Sequence, residues 1–116
     1  MTIVRHNPGQ FYSAAVEYNG LVFVAGQIAD DRTQDVRGQT EQVLKKLDAA
    51  LAQAGTDKSK ILNASVWLAD IGDRDAMNAL WSKWVDPKNL PARATVEAKL
   101  ATPAYKVEIV VIAARG

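Results

Sequence analysis

The chain predicts an α+β fold, a mixed sheet with two helices packed on one face, from three features of its pattern. Two segments repeat apolar residues at three- and four-residue intervals, several others alternate with period two, and an Asn-Gly pair separates two apolar runs. At 116 residues and 48% hydrophobic content, residues 1–116 fit one compact domain with an adequate core.

The elements follow in order. Asn19-Gly20 lies between Ala14–Tyr18 and Leu21–Gly26 and supplies the positive dihedrals of a two-residue type I′ turn, which predicts a hairpin, with a further strand ahead of it. After a polar loop around Asp30 to Thr33, the spacing of Val36, Thr40, Val43, Leu44, Leu47, Leu51 and Ala54 predicts a helix from about Asp35 to Ala54, ended by Gly55. Ile61 to Leu68 is rich in apolar and β-branched residues and reads as a strand. Met77, Leu80, Trp81, Trp84 and Val85 mark a second helix near Asp73 to Val85, and Pro87 and Pro91 bracket a loop. Ala94, Val96, Ala98 and Leu100 alternate with polar residues. A turn at Thr102-Pro103-Ala104 then leads into Tyr105 to Ala114, so the last two strands are expected to form a hairpin.

That final strand is apolar on both sides, and two helices cover only one face of a sheet. Association of subunits through the open face would cover the other, so a homo-oligomer is expected. The 14 Lys and Arg are nearly matched by 13 Asp and Glu, interspersed, which leaves no electrostatic footprint for nucleic acid. Cysteine is absent, which excludes disulfides, thiolate metal sites and thiol nucleophiles, and a reducing cytoplasm is the expected setting. No run approaches the ~20 apolar residues of a membrane-spanning helix, so no membrane is expected as a partner.

Few residues offer chemistry. Arg93 follows Pro91 at a strand start, and its planar fork either grips a small carboxylate or simply faces solvent. Glu108 interrupts the apolar last strand on the side of Val110 and Ile112. There it serves as a general acid or base, or pairs with Lys106 or Lys99 at an edge. In the expected hairpin, Ala98 pairs with Glu108 and Arg93 lies roughly 16 Å away along the strands. Sharing one ligand would need a shifted register, convergent side chains, or two subunits. Tyr12 is a pocket wall or plain packing; Gly26 admits a ligand to the backbone or permits a bulge; Asn78 caps local backbone or reaches a neighbouring subunit. His6 lacks a second ligand at metal spacing, so no metal is expected, and no phosphate-binding glycine loop points to a nucleotide cofactor. Trp67, Trp81 and Trp84 read as core or helix-packing residues.

Taken together, these segments resemble the Rid family, also called the YjgF/YER057c/UK114 or RutC family. The resemblance rests on Ala25-Gly26-Gln27-Ile28, Gln39-Thr40, Val66-Trp67-Leu68-Ala69-Asp70-Ile71-Gly72-Asp73, Met77-Asn78, Pro91-Ala92-Arg93, and Val107-Glu108-Ile109 with Ile112-Ala113. The ending Ala101-Thr102-Pro103-Ala104-Tyr105-Lys106-Val107-Glu108 looks most like the YoaB-type branch. The resemblance implies a chorismate-mutase-like homotrimer with sites between subunits and no cofactor. It would hydrolyse reactive enamines and imines derived from 2-amino acids to 2-keto acids and ammonia. It also implies that Arg93 holds the substrate carboxylate and Glu108 positions or activates water. Tyr12, Gly26, Asn78 and Thr95 would line the site. Thr95 stands where the best-characterised branch commonly has cysteine, Ala25 where it often has serine, and Ile28 to Val36 is shorter than that branch's loop. A trimer that binds a small keto or amino acid without turnover is the alternative. Ribonuclease action, attached to some relatives, fits poorly with near-neutral charge and a single histidine.

Overall fold

The computed structural model describes residues 2–116, so Met1, the first residue of the expected domain, lies outside the description. Strands β1 (Val4–Pro8), β2 (Ser13–Tyr18) and β3 (Leu21–Gln27) precede helix α1 (Val36–Gln53). Strand β4 (Ile61–Leu68), helix α2 (Arg74–Trp84), β5 (Ala92–Glu97) and β6 (Val107–Ala114) complete the chain. All six strands join one sheet in the order β1-β2-β3-β6-β4-β5, in which β5 runs parallel to β4 and the other neighbours are antiparallel.

Local chemistry sets the element ends. Asn19 and Gly20 both have positive φ, 52° and 77°, and close the β2–β3 hairpin with Tyr18 opposite Leu21. Asp35 caps α1 by accepting from the Gly38 N–H at 2.9 Å, and Gly55, at φ 80°, turns the chain away beyond its end. The inner stripe of α1, Val36, Val43, Leu44, Leu47 and Leu51, is buried, as are Met77 and Trp81 of α2. These meet Val22, Val24, Val66, Leu68, Ile109 and Val111 in one core on the helix-covered side of the sheet.

The expected hairpin between the last two strands does not form. Helix α2 acts as a crossover that returns β5 alongside β4 in parallel, with Ala64 opposite Arg93. Strand β4 thus lies between β5 and β6, and Glu108 stands opposite Trp67 instead of Ala98. The chain bends across the end of β4, where Ala98 N–H donates to Leu68 O and Ala69 N–H donates to Lys106 O. Trp67 is a second correction. With Val66 and Leu68 turned into the core, period two directs Trp67 to the uncovered face, where it is half-buried. That face also carries Val16, Phe23, Val96, Val110 and Ile112, with Phe23 41% and Val96 47% exposed, the apolar surface expected from the sequence.

One buried polar residue organises the loops above the sheet. Gln39 is fully buried in the α1 stripe; its amide nitrogen donates to Gln34 O at 2.9 Å and Ala104 O at 3.0 Å, and its oxygen accepts from Lys106 N–H at 2.8 Å. Gln39→Leu keeps the volume but strands these backbone groups. It is expected to lower unfolding free energy by about 2–4 kcal/mol, read from urea denaturation.

Candidate functional site

The expected site residues fall into two groups on opposite faces of the sheet. Arg93 sits on the edge strand β5 opposite Ala64, a residue buried beneath the helices, so its side chain leans to the helix-covered side. Its guanidinium lies over the Trp81 ring with 5.1 Å from Cζ to the centroid. Burial lowers the pKa of this guanidinium from its ordinary value, a desolvation that an anionic partner would relieve. Its Nη1 is buried without a hydrogen-bond partner, and so is the Oγ1 of Thr95, two residues along on the same side. Buried polar groups are nearly always paired, because an unmade bond costs about 1–3 kcal/mol. The two atoms lie on residues two positions apart on the same side of one edge strand. Asn78 lies three residues before Trp81 on α2, at the spacing of side chains on one helix face.

The second group occupies the uncovered face. There the Glu108 carboxylate lies against the backbone of Gly26, close enough that a Cβ at position 26 would collide with it. The pairing of β3 with β6 shifts register between Val24 and Gln27, so the strand is irregular where Gly26 receives the carboxylate. Among the described residues Glu108 makes no ion pair, so the expected alternative of pairing with Lys106 or Lys99 is not observed. Tyr12, 71% exposed, and Gly26 line a cleft of about 540 Å³ together with Ala25, Ile28, Arg32 and Tyr105. Gly26→Ala is expected to push the Glu108 carboxylate aside with stability altered by less than about 1 kcal/mol, which thermal melting checks.

Within one protomer the groups do not converge. Glu108 aligns with Trp67, and Trp67 with Val96, so Arg93 lies two strands over and three residues down. That is roughly 14 Å between backbones, with the side chains on opposite faces. Neither a register shift nor convergence along the strands brings them onto one small ligand.

Three contributors were not anticipated as site components: Trp81 as the platform under Arg93, Arg32 beside Tyr105, and Gln39 as the clamp of the surrounding loops. The signal for Gln39 was present, a polar residue inside an apolar helical stripe. Trp81 carried no such signal, because its partner arrives through the unforeseen β4–β5 pairing. His6, read as a lone histidine, contacts the buried Glu17, whose other oxygen accepts from Arg115 Nε at 3.0 Å. No group of His, Cys, Asp or Glu side chains among the described residues is arranged to hold a metal ion.

A family model described as Endoribonuclease L-PSP matches residues 2–115. A RutC family protein of Haemophilus ducreyi is 48% identical over 112 residues, covering 97% of this chain and 96% of that protein. The RutC family protein YoaB of Escherichia coli is 40% identical over 114 residues, covering 98% and 99%. Reactive Intermediate Deaminase A of Arabidopsis thaliana, a chloroplastic protein, is 33% identical over 108 residues, covering 88% of this chain and 57% of that protein. Among solved structures, a YjgF family member from Neisseria meningitidis superimposes with a TM-score of 0.95 at 39% identity, covering 100% of this chain and 97% of that one.

Proposed function

The chain belongs to the Rid (YjgF/RutC) family, and from that premise we propose that it is an enamine/imine deaminase working as a cytoplasmic homotrimer with sites between subunits. It hydrolyses 2-amino-acid-derived enamines or imines to 2-keto acids and ammonia. The observation that carries this reading is the pair of unpartnered atoms on β5, Arg93 Nη1 and Thr95 Oγ1, a cationic donor beside a hydroxyl. A carboxylate satisfies both. The Arabidopsis relative, by its name a reactive intermediate deaminase, supports the chemistry.

An intersubunit site reconciles the two faces. The open sheet face of one protomer presents Glu108, Gly26 and Tyr12, and the edge of a neighbouring copy presents Arg93, Thr95 and Asn78. The substrate carboxylate rests on the guanidinium, which stays protonated at any physiological pH despite its partial burial. Held this way, the imine carbon faces a water next to Glu108. The carboxylate accepts a proton as the water oxygen bonds to carbon and the C=N π pair moves to nitrogen. The proton then passes to that nitrogen, giving a carbinolamine; Glu108 next takes the hydroxyl proton and returns it to nitrogen as the C–N bond breaks, so the O–H electron pair forms the keto group and ammonia leaves. An enamine enters the same course after protonation at its β-carbon. The imine carbon is already electrophilic, so orientation and one proton acceptor suffice, and no cofactor takes part.

The direct test generates an imine in situ with an amino-acid oxidase and follows keto-acid release with and without the protein. Acceleration proportional to added protein is the expected result. Stabilisation of the protein by 2-ketobutyrate with no acceleration would replace the deaminase with the non-catalytic metabolite-binding trimer, and absence of both would overturn the carboxylate site.

A further inference from the structure

We infer that the cleft between Tyr12, Arg32 and Tyr105 is a side-chain subsite for a second carboxylate, so that the preferred substrates are dicarboxylic imines such as those formed from aspartate or glutamate. This deepens the deaminase reading and rests on it for the placement of the first carboxylate at Arg93.

The cleft is lined by Gly26, against whose backbone the Glu108 carboxylate lies, and farther along by Ile28 and Arg32. Its charges are unevenly committed. Lys46 donates to Ile28 O and to the Asp30 carboxylate, each at 2.9 Å, so that cation and that anion neutralise one another. The Asp31 carboxylate accepts from the Thr33 hydroxyl and backbone N–H and from the Gln34 amide, and these bonds hold its pKa below the ordinary value. Arg32 makes no ion pair among the described residues. Its side chain is exposed, and its guanidinium lies over the Tyr105 ring, 5.5 Å from the centroid, at the wall of the cleft.

The backbone on both sides of that mouth is tied to one buried side chain. The Gln39 amide nitrogen reaches Arg32 O at 3.4 Å and Ala104 O at 3.0 Å, so the segments bearing Arg32 and Tyr105 keep a common position. A cation without an ion pair, on a held backbone in a cleft that Tyr12, Tyr105 and Gly26 also line, suits a carboxylate at the far end of a substrate side chain. An aliphatic side chain would leave that cation unpaired.

The test measures kcat/KM for imines generated from glutamate, aspartate and leucine, with wild type and Arg32→Ala, and in parallel the binding of 2-ketoglutarate and 2-ketobutyrate by calorimetry. Wild type is expected to favour the dicarboxylic imines, and the ratio of dicarboxylic to aliphatic kcat/KM is expected to fall roughly ten- to a hundredfold in the variant, the effect of one charge-assisted hydrogen-bonding partner. The preference for 2-ketoglutarate over 2-ketobutyrate should fall in step. Turnover with the same substrate ratio in both proteins overturns the subsite and leaves the deaminase reading standing. Should wild type accelerate no imine, the deaminase reading falls, and the binding ratio decides the subsite alone: a preference lost in Arg32→Ala supports it, and no preference overturns it.

Discussion

Arg93→Ala is expected to lower kcat/KM for imine hydrolysis by about a hundred- to a thousandfold while the protein stays folded. The size follows from the loss of the fork proposed to hold the carboxylate, since the substrate would then lose both its anchor and its orientation. Retained folding follows from the position of the side chain. Arg93 projects at the sheet edge over Trp81, a contact worth about 0.5–1 kcal/mol, and its removal also deletes a buried donor that has no partner in the protomer. Steady-state kinetics beside a melting curve separate the two effects. Lost activity with a melting temperature close to wild type is the expected pair, whereas an active Arg93→Ala protein would move the carboxylate site elsewhere. Arg93→Lys keeps the charge but not the planar fork, and should recover only part of the loss.

Ile112→Asp is expected to convert the proposed trimer to monomers and to abolish the proposed activity along with it. Ile112 lies on the uncovered face, between Phe23 on β3 and Asn63 on β4, and contributes nothing to the core beneath the helices. A carboxylate there has water for a partner in the monomer and none once another subunit covers the face, so assembly is penalised by several kcal/mol per subunit. Light scattering at micromolar concentration reads the mass, and circular dichroism checks that the protomer keeps its structure. A variant of unchanged mass would show that subunits do not associate through this face.

How much of this was legible in the sequence depends on whether the determinant was local. Asn19-Gly20 fixes its hairpin through backbone dihedrals that those two residues adopt readily, and Asp35 and Gly55 delimit α1 by local hydrogen bonding and a positive φ. Alternation in β6 placed Glu108 on the side of Val110 and Ile112, as observed. The partner of β5 was not legible. Its alternating residues fit a hairpin with β6 or a parallel ladder with β4 equally well, and the choice belongs to the α2 crossover. That one non-local pairing carried the rest. It puts Trp81 under Arg93, sets Val96 beside the outward-facing Trp67, and separates Arg93 and Glu108 across the sheet. Both residues were named from sequence, but their separation onto opposite faces of the sheet emerged only from the topology.

The central claim is that each site takes Arg93 from one subunit and Glu108 from another. Subunit mixing tests it most directly: Arg93→Ala and Glu108→Ala proteins, each inactive alone, are unfolded together, refolded as a mixture and assayed. An Arg93→Ala subunit retains Glu108 and a Glu108→Ala subunit retains Arg93, so random assembly should restore about a quarter of wild-type activity through interfaces that hold both intact residues. Mixed oligomers no more active than either parent would contradict a shared site.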